Sequence, residues 1–142
     1  MSENIISGFE AKFLNYEKAL DKLQSSIDML AKNPDNEYYR DSVLKRYEFT
    51  WELAWKTLKE HLEESGLEFT PSPLNTLKEA YQVNLIDNIE DWQKSVKGRN
   101  LLSHTYDEEL SNQITNEIIN KYNKIFITLY EKLKPIYDNS KK

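Results

Sequence analysis

Apolar residues recur every three or four positions over most of this sequence, and this spacing constrains the fold more than any other feature. The first run extends from Phe9 to Leu30, with charged side chains between its apolar members. Its members are Phe9, Phe13, Tyr16, Leu20, Leu23, Ile27 and Leu30. Such steps align side chains along one face of an α-helix. The run therefore predicts an amphipathic helix that ends at the turn sequence KNPDNE.

Two further long helices are predicted in the same way. Their apolar positions are Val43, Leu44, Tyr47, Trp51, Ala54, Trp55, Leu58 and Leu62 for the second, and Leu110, Ile114, Ile118, Tyr122, Ile125, Leu129 and Leu133 for the last. Gly66 is a natural C-cap for the second helix. The last helix is predicted from Glu108 to Leu133, ended by Pro135 and followed by a disordered tail at about 135–142.

Two shorter helices are predicted between the long ones. Ser72 or Pro73 begins the first of them, and Asp87 or Asn88 caps the second. Gly98 in the second indicates a helix break or a close approach of the backbone to a neighbour. Together the helices predict an all-α fold, an antiparallel up-down four-helix bundle with one additional short helix, in a single domain over residues 1–142.

Composition excludes several classes of protein. The sequence has no cysteine, which rules out disulfides and thiolate chemistry, and only two histidines, which argues against structural zinc. Its glycines are isolated, so it has no phosphate-binding loop. No apolar stretch is long enough to cross a bilayer and the N-terminus does not resemble a signal peptide, so a cytoplasmic protein is expected. With a net charge of −5, any contact with RNA must be local.

The segment KGRNLLSHTYDEEL, residues 97–110, contains the residues best suited to chemistry. Arg99 offers a planar cation that can bind a phosphate through two hydrogen bonds. His104 can give or take a proton near neutral pH. Nearby candidates are Asn100 and Ser103 as supporting polar groups, and Lys94 and Lys97 as RNA-binding cations. These groups would suit cleavage of RNA by its own 2′-hydroxyl, without a metal ion.

The spacing of this pair leaves alternatives open. On an ideal helix, five residues separate two side chains by about 140°, so Arg99 and His104 converge only if the helix is distorted at Gly98 or if a second copy supplies one of them. The alternative is that His104 is an ordinary surface residue at the edge of a helix. His61 is interpreted as a structural or surface residue. Trp51 and Trp55 are interpreted as core anchors, with a ligand or partner surface as the alternative.

The segment RNLLSHTY matches the R-x4-H-x-Y signature of the HEPN superfamily (higher eukaryotes and prokaryotes nucleotide-binding). More closely, the chain resembles the HEPN proteins that pair with minimal nucleotidyltransferases and are also described as nucleotidyltransferase substrate-binding proteins. The likeness extends from FLNYEKALDKL, through KRYEFTWELAWKTLKEHLEESGLEF and SPLNTLKEAYQVNLID, to WQKSVKGRNLLSHTYDEE. The order of these segments is more specific than the signature alone.

The resemblance implies a homodimer in which two signature motifs face one cleft. It also implies a metal-independent ribonuclease toxin that needs no cofactor, with Arg99 and His104 as the catalytic pair and Asn100 in support. Its cognate minimal nucleotidyltransferase antitoxin would transfer AMP to Tyr106. The added bulk and negative charge would then keep RNA out of the cleft.

Two other hypotheses fit the same sequence. The chain would do no chemistry if it were the substrate- or nucleotide-binding subunit of a two-component nucleotidyltransferase, with its ligand near Trp51 and Trp55 or in the His104 cleft. In the third hypothesis the chain is a structural interaction protein and its long apolar stripes serve only assembly.

Overall fold

The computed structural model describes residues 7–104 and 106–141, and the regular secondary structure within them is entirely helical. In chain order the elements are α1 (Gly8–Lys32), α2 (Glu37–Glu64), α3 (Pro73–Gln82), α4 (Ile89–Asn100), a 3-10 turn (Leu101–His104), α5 (Glu108–Glu117), a π turn (Ile118–Tyr122) and α6 (Asn123–Ser140). Residues 1–6, 105 and 142, which include the start of the N-terminus and the end of the predicted tail, lie outside the described residues.

The helix boundaries follow local capping signals. Ser7 and Glu10 form a reciprocal capping box at the start of α1. Ser72 caps α3 with Pro73 in its first turn, and Asn88 caps α4, as the sequence predicts. Helix α2 ends at Glu64, and Gly66 lies two residues beyond it with a φ of 90°, which glycine adopts at little cost.

The three long helical segments pack side by side around the core. The antiparallel pairing of α1 with α2 is evident from two hydrogen bonds, in which Phe9 N donates to Glu64 Oε2 and the Thr50 hydroxyl donates to the Ala19 carbonyl. Helix α6 runs antiparallel to α1, with the Tyr16 hydroxyl 2.7 Å from the Phe126 carbonyl oxygen that it donates to. The predicted apolar faces of α1, α2 and α6 thus form the hydrophobic core of an all-α fold.

The C-terminal helix departs from its prediction in two ways. It begins at Glu108 as expected but contains the π turn, which the apolar spacing did not indicate. The prediction that Pro135 ends the helix and begins a disordered tail is wrong, because α6 continues through Pro135 to Ser140. Tyr137 stacks on Phe13 at 4.6 Å between ring centroids, so packing against α1 keeps this last turn helical despite the proline.

Gly98 lies inside α4 and does not break it. Of the two predictions for this residue, the close backbone approach is correct. A methyl group built at Gly98 would lie 3.2 Å from Tyr122 Cε2 and 3.4 Å from the Tyr47 hydroxyl. The missing side chain lets α4 pack closely on α2 and on the π turn. No helix within the described residues is both long and apolar enough to span a bilayer.

Candidate functional site

The signature residues lie where α4 changes into the 3-10 turn. Arg99 and Asn100 are the last two residues of α4, Ser103 and His104 belong to the 3-10 turn, and Tyr106 follows just before α5. Asp107 caps α5 by accepting a hydrogen bond from Leu110 N at 3.1 Å. The 3-10 turn at the end of α4 and the capped start of α5 therefore hold the segment at both ends.

The segment forms one wall of an open groove of about 730 Å³, and α2 forms the other. From the signature segment the lining residues are Arg99, Asn100, Leu102, Ser103 and Tyr106, and from α2 they are Glu37, Arg40, Asp41, Leu44, Lys45 and Glu48. Three of these side chains are cationic and three are acidic, so the groove has no strong overall charge. Binding of a phosphate here would depend on an individual guanidinium and not on a broad positive field.

Arg99 is held in place by α2. Its Nη2 forms an ion pair with Glu52 Oε1, and its Cζ lies 5.2 Å from the centre of the Trp51 ring. Its Nη1 lies 3.4 Å from Asn100 Oδ1. The Arg99 side chain is still 38% exposed, so its guanidinium is oriented by the protein and remains accessible from the groove.

Trp51 provides a rigid base for this guanidinium. Its side chain is 1% exposed, and its Nε1 donates to Ser95 Oγ at 3.0 Å, while Ser95 Oγ donates to the Trp92 carbonyl. The interpretation of Trp51 as a core anchor is confirmed. Trp55 is only partly buried and donates from Nε1 to Glu52 Oε2 at 3.1 Å, so it supports the carboxylate that binds Arg99.

His104 lies at the edge of the site. It is exposed, its ring centroid is 6.2 Å from that of Tyr106 in an edge-on arrangement, and it does not line the groove. The 3-10 turn contributes to this placement, since its 120° per residue widens the angular separation of Arg99 and His104 to about 160°. Arg99 lies in the last turn of a continuous α-helix, so a distorted helix start at Gly98 does not bring the pair together.

The two residues predicted to bind RNA lie outside the groove. Lys94 and Lys97 are exposed on α4 but do not line the groove. The cations that α2 contributes, Arg40 and Lys45, were missed by sequence reasoning, and so was Glu52. A helical face with charged residues three and four apart could have identified the α2 set, but no local pattern says that this face meets the end of α4.

The second histidine has a structural environment. His61 packs against Phe9 with 5.3 Å between ring centroids, and its burial lowers its pKa below the ordinary value, with Glu64 opposing that shift. Among residues 7–104 and 106–141, no cluster of three or more His, Cys, Asp or Glu side chains could hold a metal ion.

Solved structures of other proteins share the fold of this chain. A Haemophilus influenzae protein described as the substrate-binding domain of a nucleotidyltransferase superposes with a TM-score of 0.78 at 20% identity, covering 86% of this chain and 98% of its own. A Thermus thermophilus protein gives a TM-score of 0.72 at 31% identity, covering 83% of this chain and 98% of its own. A tri-AMPylated HEPN toxin from Shewanella oneidensis, in complex with MNT antitoxin, gives a TM-score of 0.73 at 17% identity, covering 92% of this chain and 99% of its own.

The sequence itself places the chain more narrowly. Residues 11–135 match the family described as nucleotidyltransferase substrate binding protein like. The chain belongs to this family, and the resemblance inferred from the sequence is confirmed at that level. A search of curated proteins finds no match.

Proposed function

We propose that this chain is a metal-independent endoribonuclease, the toxin of a toxin–antitoxin pair, and that its active site is completed by a second copy of the chain. Arg99 binds the phosphate, with Asn100 and Ser103 in support, and His104 transfers the proton. The antitoxin is a minimal nucleotidyltransferase that regulates the site through Tyr106. We expect the pair to act in the cytoplasm, where RNA and ATP are available.

The observation that carries this proposal is the seating of Arg99. A guanidinium that lies over an indole ring, is paired on one side and is open to a groove on the other is already oriented for a ligand. Arginine suits phosphate because its planar N–H groups match two phosphate oxygens. Asn100, Ser103 and Tyr106 line the same groove and supply neutral hydrogen-bonding groups around that phosphate.

The position of His104 is the reason for proposing a dimer. Within one chain the imidazole stands beside Tyr106 at the groove's edge, and not over Arg99. A two-fold axis near this edge would bring the partner copy's His104 to the groove that contains Arg99. An isologous dimer would then form two equivalent composite sites.

The reaction would proceed by internal transfer at phosphorus. His104 accepts the 2′-hydroxyl proton, and a bond forms between the 2′ oxygen and phosphorus. The bond to the 5′ oxygen breaks, and that oxygen takes a proton from the imidazolium. Arg99 stabilises the charge that accumulates on the phosphorane oxygens. The product ends in a 2′,3′-cyclic phosphate, and DNA is spared because it lacks the attacking hydroxyl.

Cleavage of RNA by the purified protein in EDTA tests the activity. Arg99→Ala and His104→Ala should each lower the cleavage rate by about 100-fold or more while circular dichroism stays unchanged. The chain offers matched controls in Arg46→Ala and His61→Ala, which remove the same residue types away from the groove. Undiminished cleavage by either Arg99→Ala or His104→Ala would exclude the proposed pair.

Mixed dimers test the composite site. When Arg99→Ala and His104→Ala chains are co-refolded, half of the dimers contain one of each, and each of these has one intact composite site. Activity should then recover to about a quarter of the wild-type value. No recovery, although native mass spectrometry shows mixed dimers, would mean that each site takes both residues from one chain.

Regulation by AMP transfer is tested at Tyr106. This side chain is 86% exposed at the groove, so its hydroxyl could attack the α-phosphorus of ATP and release pyrophosphate. Incubation with the partner and ATP should add whole AMP units to the wild-type chain and to Tyr38→Phe, but fewer or none to Tyr106→Phe. Tyr38 is the matched control because it is 79% exposed and lies on α2. Equal labelling of all three chains would contradict this assignment.

The second candidate is a non-catalytic subunit that binds the substrate of a nucleotidyltransferase. The family description and the name of the Haemophilus influenzae protein favour it, and so does the separation of Arg99 from His104 within one chain. It predicts no RNA cleavage by this chain alone. It also predicts that the partner transfers nucleotide to an acceptor only when this chain is added.

A further inference from the structure

We infer that Glu52 is a positioning residue that orients Arg99, and that Trp55 holds Glu52 in the conformation that does so. The inference rests on the proposed function of Arg99. It assigns a role in that site to part of α2 that lies outside the signature sequence.

The two oxygens of the Glu52 carboxylate have different partners. Oε1 is paired with Arg99 Nη2 from α4, and Oε2 accepts a hydrogen bond from Trp55 Nε1 at 3.1 Å on α2 itself. Lys56 is more distant, with its Nζ 4.0 Å from Oε2. The carboxylate thus connects the partly buried Trp55 indole of α2 to the guanidinium of α4, and Glu52 and Arg99 are 47 residues apart in sequence.

Together three residues from one turn of α2 seat the guanidinium. Trp51 lies under it at 5.2 Å, and Glu52, supported by Trp55, lies beside Nη2. Nη1 makes only the 3.4 Å contact with Asn100 Oδ1, and no hydrogen bond of Nε occurs within the part of the chain that the structure describes. The N–H groups of Nη1 and Nε therefore remain available to bind a phosphate.

This arrangement should affect the chemical step more than the binding of RNA. A long arginine side chain samples many rotamers when nothing restrains it, and a phosphate that it must stabilise tolerates little misplacement. Glu52 also neutralises part of the positive charge, so a purely electrostatic view predicts the opposite effect. In that view, removal of Glu52 would strengthen RNA binding and speed cleavage.

Steady-state kinetics of RNA cleavage in EDTA separate these effects. For Glu52→Ala we expect kcat to fall about 10- to 100-fold, with KM changed less than about 3-fold. Glu52→Gln keeps an acceptor for Arg99 and should recover part of this loss. The matched control is Glu63→Ala, which removes another partly exposed, lysine-paired carboxylate from α2 and should leave kcat unchanged. An unchanged or raised kcat in Glu52→Ala would overturn the inference.

The role of Trp55 is tested by Trp55→Phe. This change keeps an aromatic ring and removes the N–H that Glu52 Oε2 accepts from. Because Glu52 and its charge remain, kcat should fall less than in Glu52→Ala, by about 2- to 5-fold. An undiminished kcat would remove Trp55 from the positioning role.

A measurement on the side chain itself keeps the inference testable if the chain does not cleave RNA. Nitrogen NMR of Arg99 should show slow rotation about the Nε–Cζ bond, with separate Nη signals, in the wild-type chain and in Glu63→Ala. In Glu52→Ala these signals should merge. Absence of cleavage by the wild-type chain would overturn the proposed function, whereas equally fast rotation in all three chains would overturn the positioning role of Glu52.

Discussion

Replacing Gly98 by alanine tests how closely α4 is packed beside the candidate site. The new methyl group would lie 3.2 Å from Tyr122 Cε2, closer than ordinary van der Waals contact, and 3.4 Å from the Tyr47 hydroxyl oxygen, at the near limit of such contact. Neither ring can easily move away. Tyr47 is 0% exposed and donates to the Ser95 carbonyl at 2.6 Å, and Tyr122 is 2% exposed and donates to the Lys94 carbonyl at 3.2 Å.

Two opposing effects set the magnitude. Alanine is more favourable than glycine inside a helix by about 1 kcal/mol, because glycine loses more backbone entropy on folding. Inserting a methyl group into a filled interior costs about 1–3 kcal/mol. The free energy of unfolding should therefore fall by about 1 kcal/mol, which corresponds to a decrease in Tm of about 3 °C for a domain of this size.

Urea denaturation followed by circular dichroism measures this change. Gln93→Gly and Gln93→Ala provide the control, because Gln93 is exposed on the same helix and their difference gives the intrinsic preference for alanine without the contacts. That difference should be about 1 kcal/mol in favour of alanine. If Gly98→Ala stabilises the protein by the same amount, the two tyrosine rings do not restrict this position and the packing argument is wrong.

Two further predictions concern stability. Burial lowers the pKa of His61 in the folded protein, so as the pH falls the imidazole of the unfolded chain is protonated first. The free energy of unfolding should therefore fall as the pH is lowered through about 6.5, and it should level off below the pKa of the folded state. His61→Gln should flatten that part of the profile, and an unchanged slope would contradict the assignment. Pro135→Ala should raise the free energy of unfolding by about 1–2 kcal/mol, because it supplies the N–H that the interior of α6 lacks. Pro73→Ala, in the first turn of α3 where proline is favourable, should instead lower it slightly, and a similar gain at both positions would refute the reasoning.

Local sequence was sufficient to predict the helices and most of their ends. The apolar spacing identified the buried faces of the three long segments, and capping residues such as Ser72 and Asn88 marked where helices begin. These features act over one or two turns, so they can be interpreted without knowledge of the fold. The signature segment was recognised for a related reason, since its residues are close together in sequence.

Local sequence did not predict where the last helix ends or what surrounds Arg99. Proline is unfavourable inside a helix, yet the stacking of Tyr137 on Phe13 from α1 keeps Pro135 within α6. The ion pair between Glu52 and Arg99 joins two helices, and helical periodicity does not specify which faces of two helices meet. The sequence by itself therefore determined the helices, their apolar faces and the family. Only the tertiary structure decided which α2 side chains seat Arg99 and that His104 stands apart from it, because those contacts depend on how separate helices pack.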